Sequence, residues 1–133
     1  MLRMRIAATL LALTLAACSD QAGGSEADLQ RASQGLCDAQ VLAFESNVPR
    51  AASVFDREAH GFLHELAADL EEVDRAAAAG LLEAKQRLEA ILADPVRGDP
   101  QDVVVLITEL QRALRDGAEA AGLPTPLCGE GAS

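Results

Sequence analysis

The chain's only two histidines, His60 and His64, stand four residues apart within Phe55-Asp56-Arg57-Glu58-Ala59-His60-Gly61-Phe62-Leu63-His64-Glu65-Leu66. On a helix that spacing puts both imidazoles on one face, a turn apart. Two such imidazoles could share a divalent transition metal, with Glu71 or Asp56 completing a donor set of borderline hardness. The zincin pattern is absent, because Gly61 and Phe62 follow His60 where that pattern needs its Glu. At about 100° per residue, His60 lies about 120° and His64 about 160° from Leu66, which marks the buried stripe. Both therefore point mostly to water. Two readings follow: a surface-exposed metal site of His60, His64 and Glu71, or two solvated boundary histidines.

The remaining charged clusters read as structure. Asp69, Glu71, Glu72 and Asp74 form the densest acidic run, but no D-x-D-x-D-G loop accompanies them, so a solvated helix face explains them. Asp94, Asp99 and Asp102 around Gly98 suit turn and cap roles. No Gly-rich phosphate loop, G-x-S-x-G elbow or Cys-His constellation is present, so the sequence offers no nucleophile in a catalytic context and predicts a non-enzyme.

The elements that must position these residues are helices. The chain has 133 residues, enough for one domain, and three Phe with no Tyr or Trp. Its apolar half is mostly Ala and Leu, which favours close-packed helices over a sheet. A formal charge of -10 with so few aromatics leaves neither phosphate neutralisation nor base stacking, so nucleic acid is excluded as a partner.

Met1 to Arg5 carries two positive charges, and the apolar run Ile6 to Ala17 ends in small side chains, the pattern of a secretory signal peptide. A spanning helix needs about 20 apolar residues, and this run is too short. Its end, Leu15-Ala16-Ala17-Cys18, resembles the lipobox of bacterial lipoproteins, a resemblance confined to residues 1–18. It implies cleavage before Cys18, lipid on that cysteine, and an extracytoplasmic chain anchored to a bacterial membrane. In an envelope with two membranes, Ser19 after the Cys resembles the outer-membrane type, and the sequence leaves the leaflet open between inner and outer membrane. Cleavage would remove Arg3 and Arg5 and make the remaining chain more acidic still, a surface that anionic headgroups repel. Attachment would then come from acyl chains, at about 0.8 kcal/mol per buried CH₂.

With Cys18 lipidated, Cys37 and Cys128 remain as an even pair in an oxidising compartment, which predicts a disulfide. Closing so long a loop contributes about 2–4 kcal/mol. A metal-binding thiol pair is the competing reading, and no C-x-x-C spacing supports it. Ser19 to Gly24 is polar and reads as a tether. A helix-one cysteine paired with a C-terminal one around His-x-x-x-His is similar to small helical lipoproteins of unknown function, which implies a fold and no activity.

Helical spacing fills the rest. Ser25 with Asp28 resembles a capping box, and Leu29, Ala32, Leu36, Cys37, Val41 and Phe44 trace the first helix over 25–46. Ser46, Asn47 and Pro49 end it, and Ser53 with Asp56 offers the next cap. The seam Phe55, Ala59, Phe62, Leu66, Leu70, Val73, Ala77, Ala84, Leu88 and Ile91 then persists to about residue 93. As one helix, 53–93 would be about 60 Å long beside neighbours of about 33 Å. A break near Asp74 to Gly80 would give an antiparallel four-helix bundle; a continuous helix would give three. Asp94 to Pro100 punctuates the chain, and Asp99 with Pro100 starts the last helix, 100–121.

The sequence thus predicts an all-α antiparallel bundle of three to four helices over 25–128, stapled by Cys37 and Cys128, behind a signal peptide (1–17) and a lipidated tether (18–24), with a disordered tail (129–133). The expected role is a non-catalytic binding or interaction module of the cell envelope, with the membrane and an envelope protein as partners; the alternative is a divalent-metal-binding lipoprotein.

Overall fold

The computed structural model describes residues 26–125 and Cys128. The expected signal peptide, Cys18, the expected tether, the Ser25 cap and the tail lie outside the described residues. Six helical stretches follow in order: α1 (Glu26–Phe44), α2 (Val48–Phe55), a π-helical turn (Asp56–His60), α3 (Gly61–Val73), α4 (Arg75–Leu92) and α5 (Pro100–Ala120). No break separates α2, the π turn and α3, so they form one rod, and the chain is a four-helix bundle with no strand among the described residues.

Cross-helix pairs fix the topology. Gly35 of α1 faces Glu58, His60 faces Glu89 of α4, Arg87 of α4 pairs with Glu109 of α5, and Gln40 of α1 bonds Thr108. Leu70 and Leu81, flanking the α3–α4 corner, both meet Gly117 near the end of α5. Each rod is therefore antiparallel to its two neighbours. Leucines 29, 36, 63, 66, 70, 81, 88, 110 and 114, with Val103 and Ile107, are the fully buried large side chains at the centre.

The corner at Asp74 decides between three helices and four. Its backbone leaves the helical region (φ -150°, ψ 90°), and its carboxylate accepts from the Ala77 N–H at 3.0 Å. One residue thus ends α3 and caps α4. Past the corner the seam holds in part. Val73 is exposed and Ala77 is half-buried, while α4 buries Ala78, Leu81, Ala84, Lys85 and Leu88. Ala84 and Leu88 are seam positions, and Ala78, Leu81 and Lys85 widen the buried stripe beside them.

Two further expectations are corrected. The second helix begins at Val48 rather than near Ser53, because the Asn47 side chain accepts from the Arg50 N–H at 3.4 Å and Pro49 fits the first turn, where no N–H is needed. Asn47 and Pro49 start α2; they do not merely end α1. Val41 and Phe44 also lie outside the core, at 57% and 79% exposure. The buried face of α1 runs through Leu29, Ala32, Leu36, Ala39 and Ala43, from which Phe44 is turned about 100° and Val41 about 160°.

The ends of α1 and α5 use the same device. Ser46 N–H bonds Ala43 O and Asn47 N–H bonds Leu42 O, with Ser46 in the left-handed region (φ 63°). At the end of α5, Gly122 (φ 71°) bonds Glu119 O and Leu123 bonds Ala118 O. These are Schellman caps, which turn the chain sharply while satisfying the last carbonyls. Past Gly122 the chain reaches Cys128, which is disulfide-bonded to Cys37 on α1 with Cα atoms 5.8 Å apart. Gln111 of α5 lies over both sulfurs, its Nε2 3.8 Å from Cys37 Sγ and 3.6 Å from Cys128 Sγ.

Of the glycine contacts among the described residues, the tightest is between α1 and the π turn. A Cβ placed on Gly35 would stand 2.5 Å from Glu58 Cβ, closer than carbon atoms approach. Gly35→Ala must push the π turn off α1, with an expected loss of about 1–3 kcal/mol that lowers the melting temperature by about 4 °C or more. An unchanged melting curve would show that the two do not touch.

Candidate functional site

The α1–π contact leaves an open groove beside it. The groove has a volume of about 540 Å³ and runs between one side of α1 (Arg31, Gln34, Gly35, Asp38, Val41, Leu42) and one side of the rod (Arg50, Val54, Arg57, Glu58). Its apolar lining is Gly35, Val41, Leu42 and Val54. The π turn accommodates an extra residue in the coil, and such turns recur where a helix must present side chains out of ordinary phase. Here it carries Arg57 and Glu58 to the groove.

Three arginines rim this space on a chain whose formal charge is -10. Arg57 Nε bonds Glu58 Oε1 at 2.7 Å, and Arg31 Nη1 lies 3.9 Å from Asp28. Arg50 forms no salt bridge among the described residues, and Asp38 accepts from Gln34 Nε2 at 2.9 Å. The lining holds cations, carboxylates and a carboxamide beside these apolar residues, and none of its residues is a Ser, Thr, Cys or His.

The predicted metal residues do not form a group of three ligands. His60 ends the π turn, and its Nδ1 is 2.7 Å from Glu89 Oε1 on α4, with the ring edge-on to Phe55. His64 is exposed on α3, and Glu71 lies 3.9 Å from the Arg75 guanidinium. Among the described residues no three His, Cys, Asp or Glu side chains are grouped so as to hold a metal ion. The set His60, His64 and Glu71 is therefore not brought together. The capping Asp99 accepts from the Gln101 N–H at 2.8 Å, as a cap residue does.

Glu89 is the residue the sequence reading missed. Its Oε1 also accepts from Lys85 Nζ at 2.6 Å, and the Lys85 side chain is only 7% exposed. Lys85 sits between the buried Leu81 and Leu88, next to the seam residue Ala84, with a Glu four residues on, a signal visible in the sequence. A buried ammonium with a carboxylate partner is tolerated, while the same ammonium without one is costly. Arg31, Arg50 and Arg57 were legible only as solvated charges, because nothing in their spacing places them around one groove.

No family model, curated protein or solved structure matches this chain.

Two outcomes follow. Glu89→Ala should destabilise the fold by about 1–3 kcal/mol, less than a fully enclosed pair because Glu89 is partly solvated, while Lys85→Met should be near neutral; equal losses by urea denaturation would contradict this. Cu²⁺ and Zn²⁺ should leave the melting temperature unchanged, since a ligand that binds only the native state raises it by mass action. A shift lost on changing both His60 and His64 to Ala would overturn that expectation.

Proposed function

We propose that this chain is a lipid-anchored extracytoplasmic binding module of the bacterial envelope, with a non-catalytic role. The reading that Cys18 is the anchor rests on Leu15-Ala16-Ala17-Cys18 behind a basic start and a short apolar run. No helix among the described residues is long and apolar enough to cross a membrane. The acidic surface would be repelled by anionic headgroups, so the acyl chains carry the attachment. A cysteine pair bridged across the bundle suits an oxidising compartment.

The observation that carries the binding reading is the groove between α1 and the π turn, where three arginines gather on an otherwise acidic protein. A concave, partly apolar space with a few fixed polar groups is the usual form of a small-molecule site. Its lining supplies recognition groups and no nucleophile beside a base.

Growth of bacteria expressing the full chain with labelled palmitate tests the anchor. The chain should take up label and sediment with membranes, and Cys18→Ser should lose both properties. An unlabelled chain that leaves the membrane fraction equally with or without the substitution would overturn the anchor.

A further inference from the structure

We infer that the groove between α1 and the α2–π segment binds a small carboxylate carrying an apolar body, with Arg50 as its principal cation. The inference deepens the binding-module reading and rests on it.

Charge selects the ligand class. Arg31, Arg50 and Arg57 share the groove with Asp38 and Glu58, and with Asp28 beside Arg31 the charges balance, which leaves Arg50 as the one lining arginine without a salt bridge among the described residues. A single available guanidinium suits a singly charged anion better than a phosphate dianion, which the neighbouring carboxylates would oppose. Partnering selects the cation. Arg57 is held by Glu58 at 2.7 Å and Arg31 is drawn towards Asp28, whereas Arg50 has no salt bridge among the described residues and keeps its planar fork available for a carboxylate.

Shape selects the apolar body. A volume of about 540 Å³ far exceeds the ~30 Å³ share of one water molecule. Gly35, Val41, Leu42 and Val54 line the groove together with the arginines, and Val41 is an apolar side chain 57% exposed. A bare anion would leave that surface wet. A carboxylate with a chain of several methylenes would cover it while its head meets Arg50. Gly35 lets the π turn approach α1, and the π turn sets the far wall.

The test is an NMR titration of the ¹⁵N-labelled full chain in zwitterionic nanodiscs with octanoate, octanol, acetate and inorganic phosphate. Empty nanodiscs correct for partitioning. Octanoate should saturably shift the amides of Gly35, Val41 and Val54. Arg50→Gln, a change at an exposed side chain, should weaken that binding at least tenfold with the rest of the spectrum unchanged. Arg97→Gln, in the α4–α5 loop and outside the groove, should bind as the unmodified chain does. Octanol, acetate and phosphate should give no comparable saturation. No saturable octanoate shift, equal binding by octanol or phosphate, or unaltered affinity in Arg50→Gln would each overturn the inference. Palmitate labelling reads the anchor separately, so a labelled chain that ignores octanoate would overturn the ligand class alone.

Discussion

The missing side chain at Gly35 is the constraint on which the arrangement around the groove depends. Only without a Cβ at that position does the backbone of α1 come close enough for Glu58 to pack over it. The contact fixes the depth of α1 against the α2–π–α3 rod. It also fixes where Arg57 and Glu58 point, and so the far wall of the groove. Near the end of α5, Gly117 has a related role, where an added Cβ would stand 3.1 Å from Leu70 Cδ1. Small residues at two helix crossings thus set the spacing of a core that is otherwise leucine.

The polar interactions inside this frame divide by location. Across α1 and α5, Gln40, Thr108 and Gln111 form a partly buried chain that ends over the disulfide. Across the rod and α4, Glu89 joins Lys85 and His60 at one oxygen. Both sets give direction to interfaces that Ala and Leu alone would leave free to slide. The disulfide acts differently, since it chiefly restricts the unfolded chain. Together they stabilise a domain with little aromatic surface to bury.

Much of the fold was legible in the sequence. Ala and Leu abundance with a period near 3.6 specified helices, Asp99-Pro100 marked the start of α5 within a residue, and length together with a side chain suited to capping made Asp74 a candidate corner. The cysteine pair was legible because parity and compartment leave few alternatives. What escaped was the width of the buried stripe. In α4 it takes in Ala78, Leu81 and Lys85 beside the expected Ala84 and Leu88, and apolar residues as frequent as those from Leu70 to Leu81 do not mark its edges. A π turn leaves no periodic mark when it spans only Asp56–His60. The histidines were legible as a pair at helical spacing, but their neighbours come from α4 and could not be read locally. The groove was less legible still, since it assembles Arg31, Arg50 and Arg57 from two elements whose register depends on a glycine.

The most direct measurement is the set of proton–proton NOEs around Gly35 in the labelled protein. The structure requires strong cross-peaks from the Gly35 α-protons to the Glu58 β-protons, together with i→i+5 contacts through Asp56–His60. An uninterrupted α-helical pattern across those residues, with no Gly35–Glu58 cross-peak, would contradict the docking of the π turn on α1 and remove the basis of the groove.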